Sequence, residues 1–277
     1  MTPVAVVRFS GGIRRTLQRG LQLLGGFKEL RSPVLIKPNI CTIAPSTRYT
    51  VSDIEVTKEV VNLLLENDEN LSIRIIETDS ESKFADEAFE KFGYAAYVEE
   101  MLDRGYDLAT VNLSKSPTLK IPFDGQYLRN PEIPIELAEP SYYISISIPK
   151  THYLTHITGA LKNQFGLLQQ KKKSAYHSRI ADILIDLNKL AGPNLCIVDA
   201  RAGLEGWNGP TEHEIGAFLI GREPASVDAA TARLMGFDPE SIHHIVTAAR
   251  NGLGNMNPEI VGEDLDAFKV QFKPPKH

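Results

Sequence analysis

The sequence predicts an α/β protein, with a largely parallel sheet and helices on both faces, and three observations carry the prediction. Short apolar runs alternate along the chain with segments of helical apolar period. Polar and ionisable residues recur directly after those runs, as they do at the carboxyl edge of open α/β sheets. The 277 residues are ample for a substantial core without disulfide or metal staples.

In chain order, strands are expected at Val4–Phe9, Val34–Lys37, Ile73–Glu77, Leu108–Asn112, Tyr142–Ile148, Leu195–Val198 and Ala217–Ile220. Helices are expected at Ile13–Leu24, Ser52–Leu65, Lys83–Phe92, Ala95–Arg104, Arg179–Ala191, Ala225–Met235 and Ser241–Asn251. The second helix has the clearest start: Ser52-Asp-Ile-Glu55 has capping-box spacing just before the stripe Val56, Val60, Val61, Leu64. Residues 114–140 contain Pro and Gly and break both periodicities. They read as an insertion or hairpin excursion within a single domain spanning 1–277, or as a divider giving two lobes around one crevice. Lys120–Phe123 and Tyr127–Leu128 are the weak strand candidates inside it.

Composition narrows the function. With 30 basic and 35 acidic side chains the formal charge is -5, which gives no general attraction to nucleic acid or anionic membranes. No apolar run approaches the roughly 20 residues that span a bilayer, and the N-terminus lacks a signal-peptide pattern. Cys41 and Cys196 are too few for a disulfide framework and have no CxxC spacing, so a cytoplasmic setting is expected and no iron–sulfur cluster in this chain. The dinucleotide fingerprint, the Walker A sequence and G-x-S-x-G are all missing, which disfavours standard NAD(P), P-loop and serine-hydrolase chemistry.

The strand ends carry the candidate chemistry. Lys37-Pro-Asn39, Thr78-Asp-Ser80, Lys150-Thr-His152 and Asp199 each follow a predicted strand, so a parallel sheet would bring them to one crevice. Pro38 forces an extended backbone at Lys37 and aims Asn39 out of the strand. The densest segment runs from Ile144 to Gly166, where a β-branched strand discharges into Lys150, Thr151, His152, Thr155, His156, Thr158, Lys162 and Asn163.

Several blocks resemble the domain-of-unknown-function family 362. They are Val34-Leu-Ile-Lys-Pro-Asn-Ile40, Pro149-Lys-Thr-His152, Thr158-Gly-Ala-Leu-Lys-Asn-Gln-Phe-Gly166, His177 followed by Asp182-Ile-Leu, Val198-Asp-Ala200, Gly206-Trp-Asn-Gly-Pro210 and Ser226-Val-Asp-Ala229. The resemblance covers nearly the whole chain. It implies no settled reaction. Many members carry a ferredoxin-like cysteine-rich segment, which this sequence lacks.

From these residues the expected substrate-binding set is Lys37, Asn39, Lys150, Thr151, Thr158, Lys162, Asn163 and Trp207, with lysine as a point charge suited to phosphate or carboxylate. Lys150, His152, Lys162 and Asn163 are expected to form one constellation. His152, His177 and Asp199 are the acid–base candidates. His152, His156 and Asp199 are the candidate ligands for a divalent metal. His213, His243, His244 and His277 read as surface or helix residues. Asp199–Pro210 reads as a glycine-punctuated loop whose Trp207 either covers the crevice or anchors a long turn. Gln169–His177 reads as a mobile, solvated lysine turn able to carry His177 into the site. Two functions fit: an enzyme acting on an anionic small molecule, or a non-catalytic ligand- or metal-binding accessory to a separate redox or iron–sulfur partner.

Overall fold

A computed structural model describes residues 2–139 and 141–275; Pro140 and His277, named above, lie outside the described residues. The first half runs β1 (Val4–Arg8), α1 (Ile13–Leu23), β2 (Val34–Lys37), α2 (Ile54–Asn67), β3 (Ile73–Glu77), α3 (Ala85–Lys91), α4 (Tyr94–Asp103) and β4 (Leu108–Asn112). The excursion follows as β5 (Thr118–Lys120), β6 (Glu132–Pro134) and α5 (Ile135–Ala138). Then come β7 (Tyr142–Ser147), β8 (Lys150–His152), β9 (His156–Thr158), α6 (Ala160–Asn163), α7 (Ile180–Leu190), β10 (Leu195–Glu205), β11 (Thr211–Gly221), α8 (Pro224–Leu234), α9 (His243–Arg250) and β12 (Ile260–Gly262).

The main sheet has the order β12-β1-β11-β10-β7-β2-β3-β4, with β8 and β9 attached beside β10. Strands β10, β7, β2, β3 and β4 run parallel, while β11 is antiparallel to both of its neighbours. Successive side chains on a strand point to opposite faces, and here both faces are apolar. Val34, Ile36, Ile73 and Ile75 pack with α1 to α4, whereas Leu35, Ile76 and Tyr143 pack against α7. Further along, Cys196 and Val198 of β10 meet Val227, Ala230 and Leu234 of α8. Such double coverage is the arrangement that buries a parallel sheet.

Three local expectations change. The start of α2 is capped by Asp53, which accepts from the Glu55 N–H at 3.1 Å, while Ser52 Oγ instead accepts from the Asn39 N–H at 2.8 Å. The excursion is a short antiparallel pair, β5 with β6, in a register running from Thr118 opposite Pro134 to Lys120 opposite Glu132. It is tied down by the buried Asp186 of α7, whose carboxylate accepts the N–H groups of Gln126, Tyr127 and Leu128 at 2.8, 2.7 and 2.7 Å. Finally, β10 does not stop at Val198; it continues to Glu205 opposite β11, across an irregularity between Ala200 and Ala202. Only the Gly206–Pro210 remainder of the supposed loop is a turn.

Candidate functional site

The carboxyl ends of β2 and β3, the β8 strand, α6 and the turn after β10 surround a cavity of about 310 Å³. It lies where ligands bind in open α/β sheets, beyond the carboxyl ends of parallel strands.

Its floor is a buried charge cluster. Glu77, the last residue of β3, sits with Oε2 2.9 Å from Lys37 Nζ and Oε1 3.4 Å from Lys83 Nζ. Lys83 also donates to the Thr78 carbonyl, and Lys173 donates to Thr78 Oγ1. Burial raises the Glu77 carboxyl, but the combined attraction of Lys37, Lys83 and Lys173 wins and holds it below its ordinary value. The lysines pay for desolvation: burial pushes Lys83 down and Lys173 down to about 7. A glycine lets the cluster close, because a Cβ on Gly166 would stand 2.6 Å from Lys37 Cε and Nζ.

Lys162 lies across the cavity. Its ammonium has no hydrogen-bond acceptor among the described residues and lies 5.5 Å from the Phe165 ring centroid. Burial, with Lys150 nearby, lowers it to about 8. The lining lysines are thus Lys37, Lys83, Lys162 and Lys173 against the acids Glu77 and Glu81. Glu81 is engaged by Ser174, whose Oγ and N–H donate at 2.6 and 3.1 Å. The balance is positive, as an anion site requires.

Lys150 does not line this cavity. Its ammonium is spent on Asn39 Oδ1 and the Thr50 carbonyl, both at 2.6 Å, and on Cys41 Sγ at 3.7 Å. Asn39 in turn donates to Asn163 Oδ1 at 3.1 Å, and Asn163 Nδ2 reaches Ser145 Oγ at 2.9 Å. Lys150, Asn39 and Asn163 therefore form one hydrogen-bonded chain, in which Asn39 and Asn163 line the cavity together with Lys162 and His152 while Lys150 stands behind them. Of the four residues expected together, His152, Lys162 and Asn163 line the cavity and Lys150 does not.

His152 Nδ1 accepts the Leu154 N–H at 3.1 Å, which assigns the ring proton to Nε2. Burial, then the charges of Lys162, His177 and Lys150, lowers this imidazole to about 2, so it is neutral. In this tautomer Nε2 carries the ring's donor N–H. His177 lines the same cavity, stacked on Phe165 with centroids 6.0 Å apart, and burial, then Lys162, lowers its pKa. Trp207 lines the cavity beside Cys41 and is 38% exposed.

Other expectations move elsewhere. Asp199 is mid-strand and accepts from Arg201 Nε at 2.9 Å and Nη2 at 2.6 Å; Arg201 also holds Asp53 at 3.0 Å, joining β10 to the cap of α2. Asp199 thus has a structural partner and lies outside the cavity. Thr151 Oγ1 accepts the Gly206 N–H at 2.7 Å and fixes the turn carrying Trp207, while Thr158 Oγ1 donates to the Ile148 carbonyl at 3.4 Å. His156, at φ 66°, meets Phe237 edge-on with centroids 4.6 Å apart. Among the described residues no group of three or more His, Cys, Asp or Glu side chains is placed to hold a metal ion. His152, His156 and Asp199 do not form a shared metal centre.

Sequence reasoning missed Glu77, Lys83, Lys173 and Cys41 as lining residues. Lys173 was expected in a solvated turn; it is buried at 7% exposure in a 3₁₀ turn spanning Lys173–Arg179. A usable signal existed for Glu77, a charge closing the apolar run Ile73-Arg-Ile-Ile.

A buried lysine cluster at the strand ends of a doubly covered α/β sheet defines the class. The chain belongs to the family described as "Domain of unknown function (DUF362)", whose model matches residues 34–233. A thylakoid-associated protein of Synechocystis sp. is 25% identical over 274 residues, covering 91% of this chain and 78% of that protein. Among solved structures, the lactate racemase apoprotein from Thermoanaerobacterium thermosaccharolyticum is matched with a TM-score of 0.49 and 12% identity, and a Thermotoga maritima protein with 0.40 and 13%. The matches cover 82% and 86% of this chain but 56% and 59% of those chains. Among the described residues no helix is long and apolar enough to cross a membrane.

Proposed function

We propose that the chain is an enzyme acting on a small molecule that bears a phosphate or carboxylate, with the anion held among Lys37, Lys83, Lys162 and Lys173. The observation that carries this reading is Lys162: a half-buried ammonium with no acceptor among the described residues is costly unless an anion completes it. Lys162 and Lys173, lowered to about 8 and about 7, exchange protons near neutrality, so each can shuttle a proton as well as hold charge. Neutral His152 donates a hydrogen bond from Nε2 to a substrate oxygen, and Trp207 covers the entrance. A cytoplasmic setting suits the free thiols of Cys41 and Cys196.

The test is a binding and turnover screen of phosphate- and carboxylate-bearing metabolites. A true substrate binds wild type at least tenfold more tightly than Lys162→Ala, as loss of a charge-assisted contact worth about 1.5–3 kcal/mol requires, and is converted to a product visible by mass spectrometry. Binding with unchanged recovery of the ligand would favour the accessory function. Equal affinity in Lys162→Ala would reject the site.

A further inference from the structure

We infer that Asp228 of α8 is a positioning residue for the lysine cavity, holding α6 so that Lys162 and Asn163 reach it. Asp228 Oδ1 accepts the Ala160 N–H at 2.6 Å and Oδ2 accepts the Leu161 N–H at 3.0 Å, so one carboxylate takes the first two donors of α6. Those two residues directly precede Lys162. The contact joins two sequence blocks singled out above, Ser226-Val-Asp-Ala229 and Thr158–Gly166, to which the proposed function gave no common role. Asp228 is 0% exposed, and the chain passes so close that a Cβ on Gly159 would collide with Oδ1.

The rest of α6 is held by neutral groups. Asn163 Nδ2 donates to Ser145 Oγ at 2.9 Å and to the Ile146 carbonyl at 3.2 Å, and Asn188 Nδ2 of α7 donates to the Leu161 carbonyl at 3.1 Å. Asp228 is therefore the anchor whose strength depends on charge, because N–H groups bond an ionised acceptor more strongly than a neutral one. Burial pushes its carboxyl up to about 7, against the two N–H groups that hold it down. Among the described residues no lysine, arginine or histidine contributes to that shift. On β10 the Cys196 thiol feels the Asp228 charge, and burial first, then Asp228, raises it well above its ordinary value, so it stays neutral. Lys162 of α6 responds to burial, Cys41 and Lys150, and His244 of α9 to burial, Lys162, His243 and His156. What passes from α8 to the cavity is thus backbone position rather than charge.

The test uses nuclear magnetic resonance of the full chain and inorganic sulfate, an anion whose charge is constant from pH 6 to pH 8.5. Without sulfate, the Ala160 and Lys162 amides should follow the Asp228 carboxyl carbon through one midpoint near about 7, a step that Asp228→Asn removes. With sulfate at pH 8.5, Asp228→Asn should bind about fivefold more weakly than wild type, the scale of a weakened charge-assisted bond. That ratio should fall toward one at pH 6, where wild-type Asp228 is itself protonated and Asn is its isostere. Lys162 and Lys173 titrate in both proteins and cancel in the ratio, whereas a carboxylate with a merely structural role gives a ratio independent of pH. Should Asp228→Asn fail to fold, Gly159→Ala, whose Cβ displaces the carboxylate from α6, must show the same loss at pH 8.5; wild-type affinity there would overturn the inference. So would α6 amides that ignore the Asp228 midpoint, or a constant affinity ratio while Lys162→Ala still weakens binding. The sulfate measurement rests on the proposed anion site and the amide measurement does not. Amides that follow Asp228 while sulfate binds wild type and Lys162→Ala equally would uphold the positioning and reject that site.

Discussion

Lys37 Nζ lies 2.9 Å from Glu77 Oε2 with both side chains 2% exposed, and the pair locks together the carboxyl ends of the adjacent parallel strands β2 and β3. Because Glu77 also faces Lys83 and Lys173, it is the acid on which the buried lysines depend.

Glu77→Gln should therefore lower stability by about 3–5 kcal/mol at pH 7, the scale of leaving buried charges unpaired. The pH dependence has a defined sign. A carboxyl held below its ordinary value of 4.5 contributes stability above that pH and loses it as pH falls through the folded-state value. Urea unfolding from pH 7 to pH 3 should show this acid loss in wild type and much less of it in the variant. Parallel curves would contradict the assignment.

The lysines predict a slope of the same sign in alkali. Folded Lys173 and Lys162 release protons near about 7 and about 8, whereas in the unfolded chain they hold them up to the ordinary 10.5. The unfolded state binds more protons across that window, so these two residues make stability rise with pH from 7 toward 10.5. Melting temperatures at pH 7, 8 and 9 should climb less steeply in Lys173→Met than in wild type.

Anion binding should take up protons. An anion beside Lys162 and Lys173 restores their charged forms, so at pH 8 binding should draw protons from the buffer, and at pH 6 it should draw almost none. Calorimetric titration in buffers of different ionisation enthalpy measures the uptake, which should shrink in Lys162→Ala. A buffer-independent enthalpy at pH 8 would count against the mechanism.

Neighbouring lysines should separate cleanly. Lys173→Ala should weaken anion binding by about tenfold or more, the effect of losing one charge-assisted contact. Lys171, exposed with its ammonium 3.7 Å from the Phe84 ring centroid, should be replaceable by Ala with little change in affinity. Equal effects would mean the 3₁₀ turn is not seated as described.

Asp186→Asn should cost about 2–3 kcal/mol, since the carboxylate accepts three backbone N–H groups at once. It should speed proteolysis around Gln126–Leu128 while leaving anion affinity unchanged. Limited digestion followed by mass spectrometry locates the cuts.

The sequence by itself determined the sheet class, the strands around Val34–Lys37, Ile73–Glu77 and Tyr142–Ser147, and the edge on which chemistry could gather. Those features are local: apolar runs form strands, and the polar residue that ends each run has only the sheet edge to occupy. Lys37 and His152 were legible for that reason, whereas Lys162 stands in the helix α6. Which charges share a cavity is a property of pairing between distant segments, and only the tertiary structure decided it. Lys150 is 111 residues from Asn39 and looks like a ligand group until its donors are seen to be spent there. Asp199 looks like a strand-end acid until β10 is seen to run on to Glu205 opposite β11, with Arg201 neutralising Asp199 within the strand. Lys173 belongs to a run of three lysines that reads as solvated, yet Thr78 and Glu77, 95 and 96 positions earlier, draw it into the interior. A charged side chain is buried only where partners from elsewhere in the chain compensate its desolvation, and the sequence around it carries no record of those partners.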